Sequence, residues 1–277
     1  MERNVEIVAT AYTIEDVLLL KDMPVDVIRF GEPDCFYRAL RNWPIENIEK
    51  VIEILNKEKK DSHFQFLNSP GSMKETEFLI KISRNFPDLT VVVETYGFLS
   101  YIKNKKVAGI NIPMYNNESL KMLGKYNIKS ISLSKNVKEE EIKTLSSIIK
   151  KEGYPIVLEY CFYGRDRLLS SWQCFLQHLA PQTQLLNKDC TNICNNQELI
   201  LYDKDNSDIK YSITGNTIVS AGSNDRINTL GQYIKAGITS ILLDFYYENI
   251  KSKEISNIVH RTKKSLEEYE SEKQKQN

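Results

Sequence analysis

Four cysteines are the residues of this chain whose type and spacing best suit a metal site. Cys190 and Cys194 are separated by three residues, Cys174 lies sixteen positions before Cys190, and Cys35 stands far away near the N-terminus. Four thiolates suit an iron–sulfur cluster or a tetrahedral zinc ion. The spacing leaves both metals open, although the three-residue gap is looser than the two-residue gap usual in zinc knuckles and favours iron–sulfur.

The alternative is that these cysteines are ordinary buried thiols, since free cysteine is among the residue types most often buried. The sequence from Asp189 to Asn196 around Cys190 and Cys194 is too polar for a core. Cys161 differs, because it lies inside the strand sequence 159–163 and is predicted to be a core thiol. The odd total of five cysteines fits poorly with a disulfide framework.

The elements that must position these cysteines alternate between strand and helix. Short, apolar, β-rich segments predict parallel strands covered by helices, and their alternation suits right-handed β-α-β units. We therefore predict a TIM-like (β/α) barrel. The predicted strands are 5–11, 25–31, 64–67, 89–94, 107–112, 128–133, 156–162 and 240–245, and the predicted helices are 13–21, 45–59, 72–85, 98–103, 118–126, 139–151, 227–236 and 255–269.

The cysteine positions agree with this architecture. In a parallel barrel, the loops that follow the strands all open on the carboxyl face. Cys35 follows the second predicted strand and Cys174 follows the seventh, so the four thiols are expected to converge on one mouth.

Regular alternation breaks after Gly164. Residues 165–200 hold three cysteines and little amphipathic order, and residues 199–219 are typical of antiparallel strands with polar turns. The barrel pattern then resumes, and no linker divides the chain. We predict one barrel domain over residues 1–277, with a cysteine-bearing insertion and small antiparallel excursion at 165–220 and a frayed polar tail at 270–277.

Composition narrows the function classes. Lys plus Arg and Asp plus Glu are both 37, so the formal net charge is zero, which argues against a broad nucleic-acid footprint. No apolar run is long enough to span a bilayer. The N-terminus lacks the hydrophobic region and cleavage site of a signal peptide, so a cytoplasmic location is expected.

Two segments resemble a known family. Residues 159–165 and 171–175 resemble the signature region of the collagenase-like peptidase U-32 family, and they are closer to its UbiV-like branch. That branch has a Gly-Arg pair, a cysteine ten residues after the glycine, and two further cysteines separated by three residues. Its remaining cysteine follows a Gly-Glu pair after the second strand, which here is the segment 31–35.

The resemblance implies a TIM-like barrel and a [4Fe–4S] cluster held by Cys35, Cys174, Cys190 and Cys194. It also implies a subunit of an oxygen-independent hydroxylation system, as in ubiquinone biosynthesis or with a related small-molecule or RNA substrate. A paralogous family member would complete a heterodimer, and prephenate is an implied hydroxyl donor. The alternative is a non-catalytic [4Fe–4S] partner or electron-transfer subunit.

Several other residues are candidates for chemistry. Glu159 and Arg165 are candidate catalytic or donor-binding groups, and the alternative for Glu159 is a lumen ion pair, for example with Arg165. Arg38 could bind a donor carboxylate or be a surface charge near the cluster. The three histidines share no metal-ligand spacing. Because neither a Ser/His/Asp nor a zinc-protease pattern is present, a peptidase is the least favoured function.

Overall fold

The main sheet is a closed barrel of eight parallel strands with helices between them, which confirms the predicted TIM-like fold. The structure, a computed structural model, describes residues 5–68, 70–112, 114, 116–171, 174–176, 199–248 and 250–276. The barrel closes where its last strand pairs in parallel with both the first and the seventh. The barrel strands are β1 (Glu6–Ala11), β2 (Val27–Gly31), β3 (Asp61–Gln65), β4 (Thr90–Val93), β5 (Lys106–Ala108), β6 (Ile128–Leu133), β7 (Val157–Gly164) and β13 (Ser240–Leu243).

Amphipathic helices cover the outside of the barrel. Helix α3 buries Ile48, Val51 and Leu55 along one stripe, as expected for residues spaced three and four apart. Thr13 begins α1 with a capping box, which satisfies backbone N–H groups that the helix leaves free. The helices are α1 (Ile14–Leu20), α2 (Phe36–Asn42), α3 (Ile45–Lys57), α4 (Met73–Asn85), α5 (Tyr96–Tyr101), α6 (Asn117–Leu123), α7 (Glu139–Glu152), α8 (Leu230–Ala236) and α9 (Ser252–Gln276).

The main hydrophobic core lies between the strands and these helices. Phe30 of β2 packs against Trp43 at a ring-centroid distance of 5.1 Å and edge-on against Phe64 of β3 at 5.4 Å. Burying an aromatic side chain of this size stabilises the fold by about 1.5–3 kcal/mol. This layer therefore holds β2 and β3 in the register that directs Arg29 and His63 into the lumen.

A second, four-stranded antiparallel sheet confirms the predicted excursion late in the chain. Its order is β8-β11-β10-β9, and the turn between β10 and β11 contains Gly215, which has a positive φ of 64°. The four strands are β8 (Arg167–Ser170), β9 (Leu199–Tyr202), β10 (Lys210–Thr214) and β11 (Thr217–Ser220), and the two-residue β12 (Asn224–Asp225) pairs with the end of β7.

The structure also differs from the sequence expectations in places. Helix α2 and strands β8 and β12 were not predicted, because each is too short to establish a hydrophobic period. The last helix continues through Gln276, whereas the sequence predicted a frayed tail from residue 270. Pairs of Lys and Glu four residues apart, such as Lys264 with Glu268, support this helix on its exposed side. No helix in the described part of the chain combines the length and the apolar character needed to cross a membrane.

Gly31, at the end of β2, is the position where the fold most clearly requires glycine. Its φ is +131°, and a Cβ there would lie 2.5 Å from the Gln65 carbonyl oxygen. We predict that Gly31→Ala lowers the free energy of unfolding by about 1–3 kcal/mol or more, because a side chain adds both strain and a backbone clash. Chemical denaturation measures this change.

Gly97 provides the matched control. It lies in α5, where no atom comes within 4 Å of the position that a Cβ would take. Gly97→Ala should therefore leave stability unchanged or raise it by up to about 1 kcal/mol. Equal effects of the two substitutions would contradict the close approach of β2 and β3 at Gly31.

Candidate functional site

A cavity of about 250 Å³ opens at the carboxyl ends of the barrel strands. This is the face on which TIM barrels place their active sites. Its lining is rich in charge, with more cationic than acidic side chains. The cationic residues are Arg29, Lys135, Arg165, Arg167 and Arg226, and the acidic residues are Glu94, Asp166 and Asp244.

The loop of Cys35 is held beside this cavity by a buried carboxylate. Glu32 is 1 % exposed and accepts hydrogen bonds from the backbone N–H groups of Asp34 and Cys35 at 3.0 and 3.1 Å. Arg38 completes the arrangement by donating to both carboxylate oxygens at 3.0 and 2.8 Å. The sequence Gly-Glu-Pro-Asp-Cys therefore folds into one fixed loop that places Cys35 at the start of α2.

Asn216, in the turn between β10 and β11, ties this loop to the segment of Cys174. Its side-chain amide donates to the Asp34 carbonyl at 2.7 Å and to the Ser171 carbonyl at 2.9 Å. The backbone N–H of Phe175 donates to the Gly215 carbonyl at 2.9 Å. One turn thus contacts both the residue before Cys35 and the residues on either side of Cys174.

The side chain of Asp34 adds further contacts at the same place. It accepts from the Asn68 amide at 2.7 Å and from the Tyr247 hydroxyl, and its Oδ1 lies 3.5 Å from Arg167. Tyr247 and Arg167 both line the cavity. The Cys35 loop and the cavity wall are therefore one connected hydrogen-bonded structure.

The structure describes two of the four predicted cluster ligands. Cys35 and Cys174 are both partly buried and not in a disulfide, whereas Cys190 and Cys194 lie outside the described residues. Burial raises the pKa of the Cys35 thiol to about 11, against the opposing effect of the Arg38 charge. Within the described ranges, no group of three His, Cys, Asp or Glu side chains could hold a metal ion.

Comparison with known proteins identifies the family. The family model for peptidase family U32 matches residues 13–277, which is nearly the whole chain. The chain belongs to peptidase family U32. The resemblance drawn from the cysteine segments is thereby confirmed at the level of this family.

Solved structures similar to this U32 protein share its fold. They include a designed cube-shaped protein cage, at 9% identity and TM-score 0.54 over 99% of this chain and 76% of the cage chain. Thiamine phosphate pyrophosphorylase from Pyrococcus furiosus is similar at 8% identity and TM-score 0.50 over 95% of both chains. None of the curated proteins matches the chain. At these identities the likeness shows the barrel alone.

Glu159 lies in the lumen below the cavity and pairs with Arg29, not with Arg165. Its Oε2 is 2.7 Å from Arg29 Nη2, and both side chains are at most 3 % exposed. The lumen ion pair considered as the alternative for Glu159 is present, but its partner is Arg29 and not the example Arg165, because Arg29 enters the lumen from β2 whereas Arg165 follows β7 at the rim. Arg165 lines the cavity and lies 3.7 Å from Glu248.

The positions of the other candidate residues, Arg38, Cys161 and the histidines, narrow the functions that each can have. Arg38 is buried and donates from Nε and Nη2 to the Glu32 carboxylate, so it is not a surface charge. Cys161 is buried in a small lumen cluster, as predicted, and also lines the cavity. Burial raises its pKa to about 12. His260 is exposed on α9, and His178 lies outside the described residues.

Sequence reasoning missed several residues that line the cavity. Arg29, Lys135 and Asp244 were not singled out, although each lies in a barrel strand or within two residues of its end, and Arg226, which follows the short β12, was missed as well. Asn216 was seen only as part of a turn. Arg29, Lys135 and Asp244 could have been found from their position in the sequence, because a polar residue at the carboxyl end of a barrel strand is expected to lie at the mouth.

Two acids of the cavity wall, Asp244 and Glu94, have raised pKa values. Burial raises the pKa of Asp244, and the positive charges of Lys135 and Arg29 offset only part of that shift. Burial likewise raises the pKa of Glu94, against the opposing charge of Arg167. Perturbed carboxyls that line a cavity are typical of functional sites.

The Asn216 contacts give a testable prediction. Asn216→Ala removes two hydrogen bonds to part-buried carbonyl groups, so the free energy of unfolding should fall by about 1–3 kcal/mol. Asn216→Asp should cost more, since it sets acceptor oxygens against those carbonyls. The exposed Asn56→Ala on α3 is the control. Unchanged denaturation midpoints for both Asn216 variants would contradict the tie between the two cysteine segments.

The raised pKa of Asp244 gives a second prediction. In the folded state Asp244 binds protons up to a higher pH than in the unfolded state, so its contribution to stability falls as pH rises above its ordinary value of 3.8. Asp244→Asn keeps the acceptor oxygen and removes this dependence. The stability of the variant relative to the wild type should therefore rise as the pH increases from 3.8 towards the raised pKa of Asp244. The exposed Asp88→Asn is the control, and a constant difference across this range would contradict the prediction.

Proposed function

We propose that this U32 protein is the UbiV-like iron–sulfur subunit of an oxygen-independent hydroxylation system. The observation that carries the proposal is the Asn216 side chain, which joins the backbones beside Cys35 and Cys174 at the mouth of a cationic cavity. An enzyme of this fold that depends on a cluster requires thiols that bind the metal and a substrate cavity at the same mouth of the barrel.

The donor set fits a [4Fe–4S] cluster. In the proposal, Cys35 and Cys174 supply two thiolates, and Cys190 and Cys194 supply the other two. The thiol of Cys35 gives up its proton when it binds a metal, since only thiolates are ligands, and the nearby Arg38 charge favours that ionisation. When bound, the cluster supplies a redox-active iron centre beside the cavity.

The cavity suits an acidic small molecule. Arg165, Arg226 and Lys135 surround it, and guanidinium groups recognise carboxylates with paired hydrogen bonds. A dicarboxylate hydroxyl donor such as prephenate would therefore bind here with its charges matched. Glu159 would act through Ser132, which lines the cavity and donates a hydrogen bond to the Glu159 carboxylate.

An open cavity beside the cysteine segments favours an enzyme over a purely electron-transferring partner. Hydrolysis by a catalytic triad has little support among the described residues. His63 is enclosed in the lumen, and His260 contacts Ser256 on the exposed side of α9.

A heterodimer with a paralogous family member is part of the proposal. The small antiparallel sheet carries large apolar side chains that are exposed in the single chain, which is typical of a surface that a partner covers. They are Leu168, Leu169, Ile200, Leu201 and Tyr202.

Iron and sulfide content of the anaerobically purified protein tests the proposal. We predict about four irons per chain with the visible absorption of a [4Fe–4S] cluster. Cys35→Ala and Cys194→Ala should each lose the iron, because each removes one of four ligands. Cys161→Ala is the matched control and should keep the iron, since Cys161 is not one of the four proposed ligands.

Three outcomes would contradict the proposal. About one zinc per chain would retain a four-thiolate site but remove the redox chemistry. Iron that is retained in both ligand variants would place the cluster elsewhere. Colourless protein that is unchanged by anaerobic reconstitution would leave no cluster at all.

A further inference from the structure

Asp244 occupies a specially shaped position at the mouth of the barrel. It follows the last barrel strand, β13, and lines the mouth cavity. The register between β13 and β7 shifts just before it, between Leu242 and Leu243, and such irregularities re-aim side chains beside active sites. Gly164, at the end of β7, has a φ of +136°, and a Cβ there would lie 2.9 Å from the Asp244 Cβ. The ends of both strands therefore leave room for this side chain.

One oxygen of the Asp244 carboxyl is held by the barrel and the other is not. Oδ1 accepts hydrogen bonds from the Tyr246 backbone N–H at 3.1 Å and from the Thr10 hydroxyl at 3.3 Å. The Thr10 hydroxyl is oriented in turn by the Phe245 backbone N–H, which donates to it at 2.5 Å. In the part of the chain that the structure describes, no residue donates to Oδ2. Oδ2 is therefore available to a molecule in the cavity.

The Asp244 carboxyl also has no cation bound to it. Among the described residues, no lysine or arginine forms an ion pair with it. Three cations face it from neighbouring elements, but another acid already pairs with each of them. They are Arg29 of β2 with Glu159 at 2.7 Å, Lys135 beyond β6 with Asp166 at 2.7 Å, and Arg167 of β8 with Asp34 at 3.5 Å.

The other titratable groups that face Asp244 have fixed charges at neutral pH. Burial raises the pKa of the Cys161 thiol on β7 and of the Tyr246 and Tyr247 hydroxyls, so all three stay neutral. Glu248 lies 3.7 Å from Arg165, which opposes its charge.

Arg226 is the cavity residue with a charge to offer an acidic ligand. It donates to the Lys135 carbonyl at 2.9 Å, to Asn224 Oδ1 at 3.3 Å and to the Tyr160 hydroxyl. None of these partners is charged, and no acid in the described ranges pairs with Arg226. A dicarboxylate carries two negative charges, and Arg226 compensates one of them. The second would meet the Asp244 carboxylate, and two carboxylates that share a site strongly raise the pKa of one of them.

We propose that Asp244 takes up one proton when a dicarboxylate binds in the mouth cavity, and that its Oδ2 then donates a hydrogen bond to a carboxylate of that ligand. The inference rests on the acidic ligand of the proposed function and adds how the cavity accommodates both of its charges. One O–H bond forms at Oδ2, the proton comes from solvent, and nothing is oxidised or reduced. Burial already raises the pKa of Asp244 before a ligand adds its charge, so the uptake starts from a poised carboxyl.

Titration calorimetry of the anaerobically purified protein measures this uptake. Prephenate and succinate, both dicarboxylates, are titrated at neutral pH in buffers with different heats of ionisation, and the dependence of the binding heat on the buffer gives the number of protons taken up. We expect the uptake to approach about one proton per ligand in the wild type. Asp244→Asn has the same shape and donates from its amide without a proton from solvent, so it should take up none.

Glu94→Gln is the matched control and should keep the uptake. Glu94 is another acid of the cavity wall, but both of its oxygens are already hydrogen-bonded. Oε2 accepts from the Asn111 backbone N–H at 2.9 Å and Oε1 from the Gln65 amide at 3.5 Å.

The pH dependence of the dissociation constant is a second measure of the same proton. Between the pKa values of Asp244 in the free and in the ligand-bound protein, the wild-type affinity should fall by a factor that approaches about ten for each pH unit of increase. The affinity of Asp244→Asn should stay constant over this range and exceed that of the wild type at its alkaline end, because the variant has no charge to neutralise.

Binding without proton uptake in the wild type would overturn the inference, as would equal uptake in the wild type and Asp244→Asn. Uptake that is lost in Glu94→Gln and kept in Asp244→Asn would assign the proton to Glu94 and overturn it as well. If neither dicarboxylate binds at any pH, the acidic ligand of the proposed function is refuted together with the inference. The iron content of the same preparation is a separate result, so proton uptake in protein without iron would support the inference and contradict the cluster.

Discussion

The ion pair between Arg29 and Glu159 is the interaction on which the interior of this barrel depends. It crosses the lumen from β2 to β7 with both side chains almost fully buried. Removing one partner of such a pair leaves an uncompensated buried charge, at a cost of about 3–5 kcal/mol. Because these buried charges need polar neighbours, the lumen around the pair is polar. The hydroxyl groups of Ser132 and Ser240 donate hydrogen bonds to Glu159. It also sets the floor of the cavity, since Arg29 lines it from below.

The mouth above this floor is organised by a second buried carboxylate. Glu32 fixes the Cys35 loop through its backbone and Arg38 contacts, and Asn216 extends that order to the Cys174 segment. The barrel topology brings the strand ends to one face, but these polar contacts determine which loops meet there. Placing reactive groups on loops held by a rigid barrel is the usual way in which this fold acquires function.

The sequence was sufficient for the barrel but not for the contacts inside it. Strand β6 and helices α3 and α7 carry strong hydrophobic periods, and their positions were predicted closely. Helix α2 has seven residues with little amphipathic pattern, so local reasoning missed it. The partner of Glu159 depends on the lumen geometry of β2 and β7, which lie far apart in sequence. Arg165 was the nearer charge along the chain and therefore the natural but wrong choice. Asn216 acts through its tertiary position, which no local pattern reveals.

The most direct test of the account is an anomalous diffraction map at the iron absorption edge, from crystals of anaerobically prepared protein. The account predicts one strong iron peak within bonding distance of the Cys35 and Cys174 sulfur atoms, where Asn216 joins the two cysteine segments. Iron bonded elsewhere, or a mouth in which these two sulfur atoms bind no metal, would contradict it.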